Sequence, residues 1–221
     1  MLVLIFDVET NGLPVGYNPS IFEVDKWPYI LQLSYILYDI ENNILIELND
    51  YIIKSNGKIN EDSYKINGIS EQLCKRKGID IKVALESFNN AIKKCDIVVA
   101  HNLSFDKRMY MVECIRNNID QHFSKRDTNG LKICKKEYCT MKNSINICKI
   151  EKINKKGEKY YKYPKLIELY KHIFNNDVNN LHDSMTDILV CFRCYYYLMY
   201  NEDIYIKCDK KLKNIYKLQC N

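Results

Sequence analysis

The sequence lacks the features that would place it in a membrane or outside the cell. No stretch approaches the roughly 20 apolar residues that a membrane-spanning helix needs. The first residues, MLVLIFDVET, contain no basic segment and no small-residue cleavage site, so no secretory signal is predicted. We therefore expect an intracellular protein of the cytoplasm or of the nucleus or nucleoid, neither secreted nor membrane-bound.

The sequence also lacks internal repeats and Pro/Gly/Ser-rich linkers, with only 7 Gly and 4 Pro in 221 residues. This length suits one sizeable domain, so we predict a domain over residues 1–200 and a lysine-rich C-terminal tail over 201–221. Ten cysteines are spread along the chain. In the absence of a secretory signal, we expect them to be reduced thiols rather than disulfides.

Positive charge is concentrated in one segment, KIEKINKKGEKYYKYPK at residues 149–165. It contains seven lysines and two glutamates, whereas the net charge of the whole chain is +5. Lys156-Gly157 predicts a hairpin turn here. Lysines interleaved with Tyr160, Tyr161 and Tyr163 could follow a nucleic-acid backbone and stack on bases. A solvated hairpin with no binding role explains the same composition.

The order of periodic segments predicts an α/β domain with a mixed sheet of about five strands flanked by helices. The strands are expected at residues 2–9, 30–40, 44–54 and 96–100, of which 30–54 form a hairpin. Helices are expected at residues 81–94, 104–117 and 184–200. In the helix at 81–94, one buried face is expected to carry Val83, Ala84, Phe88 and Ile92. Pro164 is expected in the first turn of a further helix. Residues 131–150 show no clear period.

Two carboxylates end the first predicted strand. Asp7 and Glu9 are two residues apart, so both side chains lie on one face of the strand near its C-terminal end. Burying two adjacent charges costs several kcal/mol unless something compensates. Lysine or arginine partners, or an early end of the strand, would do so. A divalent cation would do so as well, because Mg²⁺ and Mn²⁺ prefer oxygen ligands.

Two later stretches place further acids beside helix starts. Asp106 lies in AHNLSFD, just after the strand at 96–100, and HDSMTD contains both His182 and Asp187. Each stretch has a structural alternative, since Asp106 suits a helix N-terminus and Ser184 with Asp187 fits a capping box. Neither stretch identifies a site by itself.

The three stretches together resemble the motifs of the DEDDh 3′–5′ exonucleases, the family of the proofreading epsilon subunit of bacterial DNA polymerase III. IFDVETNGL, AHNLSFD and HDSMTD occur in the family's order and approximate spacing, and INGIS at 66–70 is a lesser likeness. The resemblance covers about residues 1–200 and implies a ribonuclease H-like fold. At one position the family usually has a small residue such as alanine, two after the histidine, where this sequence has Ser184.

The resemblance implies a site and a reaction. Two divalent metal ions, Mg²⁺ or Mn²⁺, would be bound by four acids, and His182 would be the general base, since imidazole can accept a proton near neutral pH. The acids would be Asp7, Glu9, Asp106 and Asp187, and the terminal nucleotide would be held by Thr10, Leu13, His101, Asn102 and Phe105. The expected function is 3′–5′ exonuclease activity on single-stranded or frayed DNA, releasing nucleoside 5′-monophosphates.

Other functions stay open at this level. An RNA-trimming exonuclease of the same family would carry the same motifs, because they contact the backbone and metals rather than the sugar. A non-catalytic nucleic-acid-binding module on this fold is a second alternative. No polymerase domain fits in 221 residues, so DNA proofreading would need a separate polymerase or other replication partner. The tail at 201–221 could be a docking segment for it or the domain's last element.

Overall fold

The computed structural model describes residues 1–55, 58–126, 128–129, 131–178 and 182–220. The strands in these ranges are β1 (Leu2–Thr10), β2 (Ile30–Asp39), β3 (Ile44–Ile52), β4 (Ile97–Ala100), β5 (Ser124–Arg126), β6 (Lys132–Cys134), β7 (Lys136–Cys139), β8 (Glu151–Ile153) and β9 (Lys159–Tyr161). The helices are α1 (Glu61–Asn67), α2 (Glu71–Lys77), α3 (Ile81–Lys94), α4 (Leu103–Asn117), α5 (Thr140–Asn143), α6 (Ile145–Cys148), α7 (Leu166–Phe174), α8 (Ser184–Tyr200), α9 (Ile204–Lys207) and α10 (Lys210–Gln219). A 3-10 turn lies at Val24–Lys26.

Five strands form one mixed sheet in the order β3-β2-β1-β4-β7. Strand β2 runs antiparallel to both β3 and β1, whereas β1, β4 and β7 run parallel. Strand β1 is therefore the middle strand, and helices cover both of its faces, which explains its unbroken apolar run. The carboxyl ends of β1, β4 and β7 meet at one edge of the sheet. This architecture confirms the predicted α/β fold.

The two faces of the sheet carry separate parts of the core. Phe6 packs with residues of α3 and α4 on one face, and Ile5 packs with residues of α8, α9 and α10 on the other. Side chains alternate along a strand, so Asp7 and Glu9 lie on the Ile5 face. The two carboxylates of β1 therefore point towards α8.

The long periodic helices are confirmed, and two details of the predictions are wrong. Helices α3 and α8 have the predicted bounds, 81–94 and 184–200. Val83 is 55% exposed, because it lies about 100° around α3 from the buried Ala84. Pro164 is not in the first turn of α7, since Lys165 occupies the N-cap and the helix begins at Leu166.

The C-terminal segment packs against the domain. Helices α9 and α10 bury Ile204, Leu212 and Tyr216 in the cluster that contains the inner face of α8. The hydroxyl of Tyr216 donates a hydrogen bond to the carbonyl oxygen of Leu189 at 3.0 Å. In the part of the chain that the structure describes, no helix combines the length and the apolar character needed to cross a membrane.

Leu212→Ala is expected to lower the free energy of unfolding by about 2 to 4 kcal/mol, because this fully buried side chain joins α10 to the α8 cluster. Leu218→Ala on the same helix is the matched control. Its side chain is 79% exposed, so its loss should stay below about 0.5 kcal/mol. Urea unfolding measures both values. Equal losses in the two variants would contradict the packing of α10 against α8.

Candidate active site

Three carboxylates converge at the edge where the parallel strands end. Asp7 and Glu9 come from β1, and Asp187 comes from the first turn of α8. One carboxylate oxygen from each lies within 4.8 Å of those of the other two. The Oδ1 atom of Asp187 is buried and has no hydrogen-bond partner among the described residues. Three carboxylate oxygens this close together, with one buried oxygen that accepts no hydrogen bond from the described residues, fit the ligand set of a divalent cation.

The environment of these acids disfavours their ionisation. Burial, followed by the negative charges of Asp106 and Asp187, raises the pKa of Asp7 well above its ordinary value. Burial and the charge of Asp187 raise the pKa of Glu9 to about 8, although a hydrogen bond from Asn67 acts in the opposite direction. Burial also raises the pKa of Asp187 to about 7. The ionised set therefore needs positive charge close by.

Asp106 lies beside the three-acid cluster and not within it. Its side chain is 3% exposed in the first turn of α4, and its Oδ1 accepts a hydrogen bond from the backbone N–H of Val8 at 3.4 Å. Burial raises the pKa of Asp106 to about 8. In its ionised form Asp106 raises the pKa of Asp7, and its role as a fourth metal ligand stays a prediction.

His182 lies immediately before the N-cap of α8 and is exposed. Its backbone is left-handed, with φ of 73°, and its N–H is close enough to the carboxylate of Asp187 to lower the pKa of that acid. In the ranges that the structure describes, no hydrogen bond holds the imidazole ring. The ring is therefore accessible to solvent at the border of the acidic cluster, and its role as general base stays a prediction.

A polar clamp that the sequence analysis missed holds the start of α8 against the sheet. Gln32 lies opposite Glu9 in the β1–β2 pair and is 3% exposed. Its Nε2 donates hydrogen bonds to the carboxylates of Asp50 and Asp183, both at 2.8 Å, and its Oε1 accepts one from the N–H of Ser184 at 3.3 Å. The available signal was a polar side chain near the start of a predicted strand that is mostly apolar.

Ser184 ties α8 directly to the strand that carries the first acids. Its buried hydroxyl donates a hydrogen bond to the carbonyl oxygen of Asp7 at 3.0 Å. The capping-box alternative for Ser184 and Asp187 is therefore wrong, because Asp183 occupies the N-cap and the carboxylate of Asp187 lies in the acidic cluster. A serine at this position supplies a contact that the family's usual alanine cannot make.

The INGIS stretch reaches the same site from α1. The side-chain amide of Asn67 donates hydrogen bonds to Oε2 of Glu9 at 3.4 Å and to the carbonyl oxygen of Thr10 at 3.2 Å. Gly68 follows with φ of 68° and ends the helix, a conformation that favours glycine. The INGIS stretch thus places the side-chain amide of Asn67 against the carboxylate of Glu9. The resemblance to the family did not predict this contact.

A pocket of about 370 Å³ lies between the segment that follows β1 and the start of α4. Leu13, Asn102 and Phe105 line it, and Trp27 lies in its wall. Thr10 lies at the bulge where β1 leaves its register with β2, and its hydroxyl donates a hydrogen bond to the carbonyl oxygen of Gly12 at 2.7 Å. Phe105 directly precedes Asp106 in the chain, so one wall of this pocket is one residue from a buried acid.

His101 is held by the protein itself and does not line the pocket. Its Nε2 lies 3.0 Å from the carbonyl oxygen of Pro164, and its Nδ1 lies 2.9 Å from the hydroxyl of Thr140. Burial lowers the pKa of His101 to about 4, so the ring is neutral at pH 7. Because a carbonyl oxygen can only accept a hydrogen bond, Nε2 carries the proton. Nδ1 therefore accepts a hydrogen bond from the hydroxyl of Thr140. Both ring nitrogens are thus engaged within the protein.

Comparison with known proteins identifies the family. Residues 4–195 match the family model RNase_T, described as exonuclease. The chain belongs to this exonuclease family. The match confirms the resemblance to the DEDDh 3′–5′ exonucleases that the three motifs predicted.

Several relatives of this exonuclease domain are known. The PolC-type DNA polymerase III of Mycoplasmopsis pulmonis (strain UAB CTIP) is 30% identical over 117 residues, which are 53% of this chain and 7% of that protein. E. coli exonuclease I in complex with a dT13 oligonucleotide has a TM-score of 0.63 at 17% identity, covering 89% of this chain and 41% of the other. Exonuclease X in complex with 5′ overhanging duplex DNA has a TM-score of 0.53 at 16% identity, covering 96% and 98%. These two structures show the shared fold.

Asp7→Asn is expected to stabilise the protein in EDTA at pH 8, by about 1 to 2 kcal/mol, because it removes a buried repelling charge. The acids of the cluster have raised pKa values, so the folded state keeps protons that the unfolded chain releases above about pH 4. Their contribution to stability therefore falls as the pH rises from about 4 to 8. Urea unfolding at pH 5 and pH 8 should show a smaller fall in the variant than in the wild type.

The control is Glu86→Gln, the same loss of one carboxylate at an exposed position of α3. It should leave the fall between pH 5 and pH 8 unchanged. A fall in Asp7→Asn equal to that of the wild type would contradict the proposed repulsion.

Gln32→Leu is expected to lower the free energy of unfolding by about 1 to 3 kcal/mol and the affinity for Mn²⁺ about tenfold, because the start of α8 loses its clamp. Urea unfolding and calorimetric Mn²⁺ titration measure the two effects. Leu212→Ala is the control, since it destabilises α8 from the opposite side without touching the clamp. An equal loss of Mn²⁺ affinity in Leu212→Ala would mean that general destabilisation, and not the clamp, explains the result.

Proposed function

We propose that this chain is a metal-dependent 3′–5′ exonuclease that removes nucleotides from single-stranded or frayed DNA. The observation that carries the proposal is the convergence of carboxylate oxygens of Asp7, Glu9 and Asp187 within 4.8 Å of one another. Membership of the exonuclease family supports the reaction class. Relatives in complex with DNA oligonucleotides, and the relative that is a DNA polymerase, favour DNA over RNA. The proposed catalytic domain is residues 1–200, against which α9 and α10 pack.

The acids of the cluster would hold two divalent cations, Mg²⁺ or Mn²⁺. Asp7, Glu9 and Asp187 would be the principal ligands, with Asp106 as the fourth acid. Bound cations would polarise the scissile phosphate, activate water and stabilise the leaving oxygen. The raised pKa values of the acids support this role, because carboxylates that resist ionisation when alone gain most from a neighbouring positive charge. Cation binding should release protons for the same reason.

The pocket would hold the terminal nucleotide. Leu13 is 79% exposed at its rim, so its side chain can contact the last bases, and Phe105 offers an apolar surface within reach of a base. Asn102 would supply polar groups, while Thr10 would fix the strand end below the sugar. His101 would act indirectly, through its hydrogen bonds to Thr140 and Pro164, by holding the loop that carries Asn102.

His182 would accept the proton of the attacking water. Its exposure allows the imidazole to pass that proton to solvent after each turnover. Attack at phosphorus breaks the bond to the 3′ oxygen of the preceding nucleotide. The leaving 3′ oxygen would take a proton from solvent, so the products would be a nucleoside 5′-monophosphate and a strand with a new 3′-hydroxyl. A proofreading role would place the chain inside the cell beside a polymerase.

The test is a time course with 5′-labelled single-stranded DNA and matching RNA in Mg²⁺, Mn²⁺ or EDTA. The expected result is a ladder that shortens from the 3′ end, faster on DNA and absent in EDTA. Asp7→Asn should lower the rate roughly a thousandfold, and His182→Ala roughly a hundredfold or more. Glu86→Gln is the control and should retain the wild-type rate.

Cleavage that persists in EDTA, or that the Asp7→Asn variant carries out at the wild-type rate, would contradict the proposed metal site. It would indicate a contaminating nuclease. Faster shortening of RNA than of DNA would identify RNA as the substrate in place of DNA. Binding of both nucleic acids without any cleavage would favour a non-catalytic binding module on this fold.

A further inference from the structure

The hairpin at residues 149–165, here named the lysine hairpin, is not used by the proposed chemistry. Strands β8 and β9 pair antiparallel, and the turn contains Gly157 with φ of 83°. The seven lysines and two glutamates of the hairpin account for the +5 net charge of the whole chain, so the remainder is electrically balanced. Charge of one sign is therefore gathered on a single projecting element.

The positive charge and the aromatic rings of the lysine hairpin face solvent. Within the described ranges, Lys159 pairs with Glu151, but no ion pair involves Lys152, Lys155 or Lys156, which are all exposed. Three tyrosines are also exposed, by 41% to 53%: Tyr160, Tyr161 and Tyr163. Exposed cations beside aromatic rings match the chemistry of single-stranded nucleic acid, whose phosphates need cations and whose bases stack on rings.

The base of the lysine hairpin is fixed at the edge of the sheet that carries the acidic cluster. The carbonyl oxygen of Pro164 accepts the hydrogen bond from Nε2 of His101 at 3.0 Å. Lys162 pairs with Glu168 of α7 at 2.5 Å, and its N–H donates to the carbonyl oxygen of Ile150 at 3.0 Å, which closes the hairpin. His101 directly precedes Asn102 of the nucleotide pocket. The hairpin therefore projects from a base one residue away from the pocket wall.

We propose that the lysine hairpin binds the phosphate backbone of the substrate strand on the 5′ side of the terminal nucleotide. Lys152, Lys155 and Lys156 supply the phosphate contacts, and Tyr160 offers a ring for stacking. This inference rests on the proposed function, since it assumes that the pocket holds a 3′-terminal nucleotide. It adds a binding site for single-stranded DNA that the acids and the pocket do not provide.

The test compares wild type with the triple variant Lys152→Gln, Lys155→Gln, Lys156→Gln. Binding of a labelled 20-nucleotide oligo-dT is measured in EDTA over a range of NaCl concentrations, so that no cleavage is needed. Neutralising three phosphate contacts should reduce the slope of log affinity against log salt by about 2, and should weaken binding at low salt about tenfold or more. The control is Lys210→Gln, Lys211→Gln, Lys217→Gln, an equal charge change at exposed positions of α10.

A hairpin variant with the wild-type salt slope would overturn the proposal, as would an equal loss in the α10 variant, which would indicate an effect of net charge alone. A second readout uses the p-nitrophenyl ester of thymidine 5′-monophosphate, which has no strand on the 5′ side of the nucleotide and so offers the hairpin no further phosphates. The hairpin variant should lose at least about tenfold more rate on the 20-nucleotide strand than on the ester. Equal losses would overturn the proposal. If wild type hydrolyses neither substrate but its salt slope depends on the hairpin, the proposed exonuclease fails and DNA binding by the hairpin stands.

Discussion

The constraint on which this structure depends is the cost of holding several carboxylates close together in a buried place. Asp7 and Glu9 are fixed by the middle strand of the sheet, and Asp187 is brought to them by a helix packed on the same face. Burial and nearby negative charges raise the pKa of each acid. Because the strand and the helix are both part of the core, the acids cannot move apart to relieve this cost. The scaffold thus preserves an arrangement that favours a bound cation.

The contacts around the start of α8 follow from that cost. A helix that begins next to repelling charges needs other interactions to hold it in place. Hydrogen bonds between the sheet and the start of α8 provide them, through the clamp of Gln32 and the hydroxyl of Ser184. Apolar packing also holds α8 in place, because Leu212 and Tyr216 of α10 are buried against the α8 cluster. Polar contacts fix the position of the helix end, and apolar burial stabilises the helix as a whole.

Sequence-based prediction succeeded where a local period persists over many residues. Helices α3 and α8 each run for more than three turns with a sustained pattern, and their bounds were predicted correctly. Residues 131–150 gave no pattern because they form short elements, including β7, which depends on pairing with β4. Val83 was placed on the wrong face of α3, since the width of a buried stripe depends on what packs against it.

The sequence by itself determined the order of the long elements, the family and the acids of the candidate site, because these follow from local spacing and from motifs that are contiguous in the chain. Only the tertiary structure decided that Asp187 joins Asp7 and Glu9 while Asp106 lies beside them. It alone decided that both nitrogens of His101 are engaged within the protein. The physical reason is that a hydrogen bond such as that of Ser184 joins residues 177 positions apart, and no local period records how a helix will pack across a sheet.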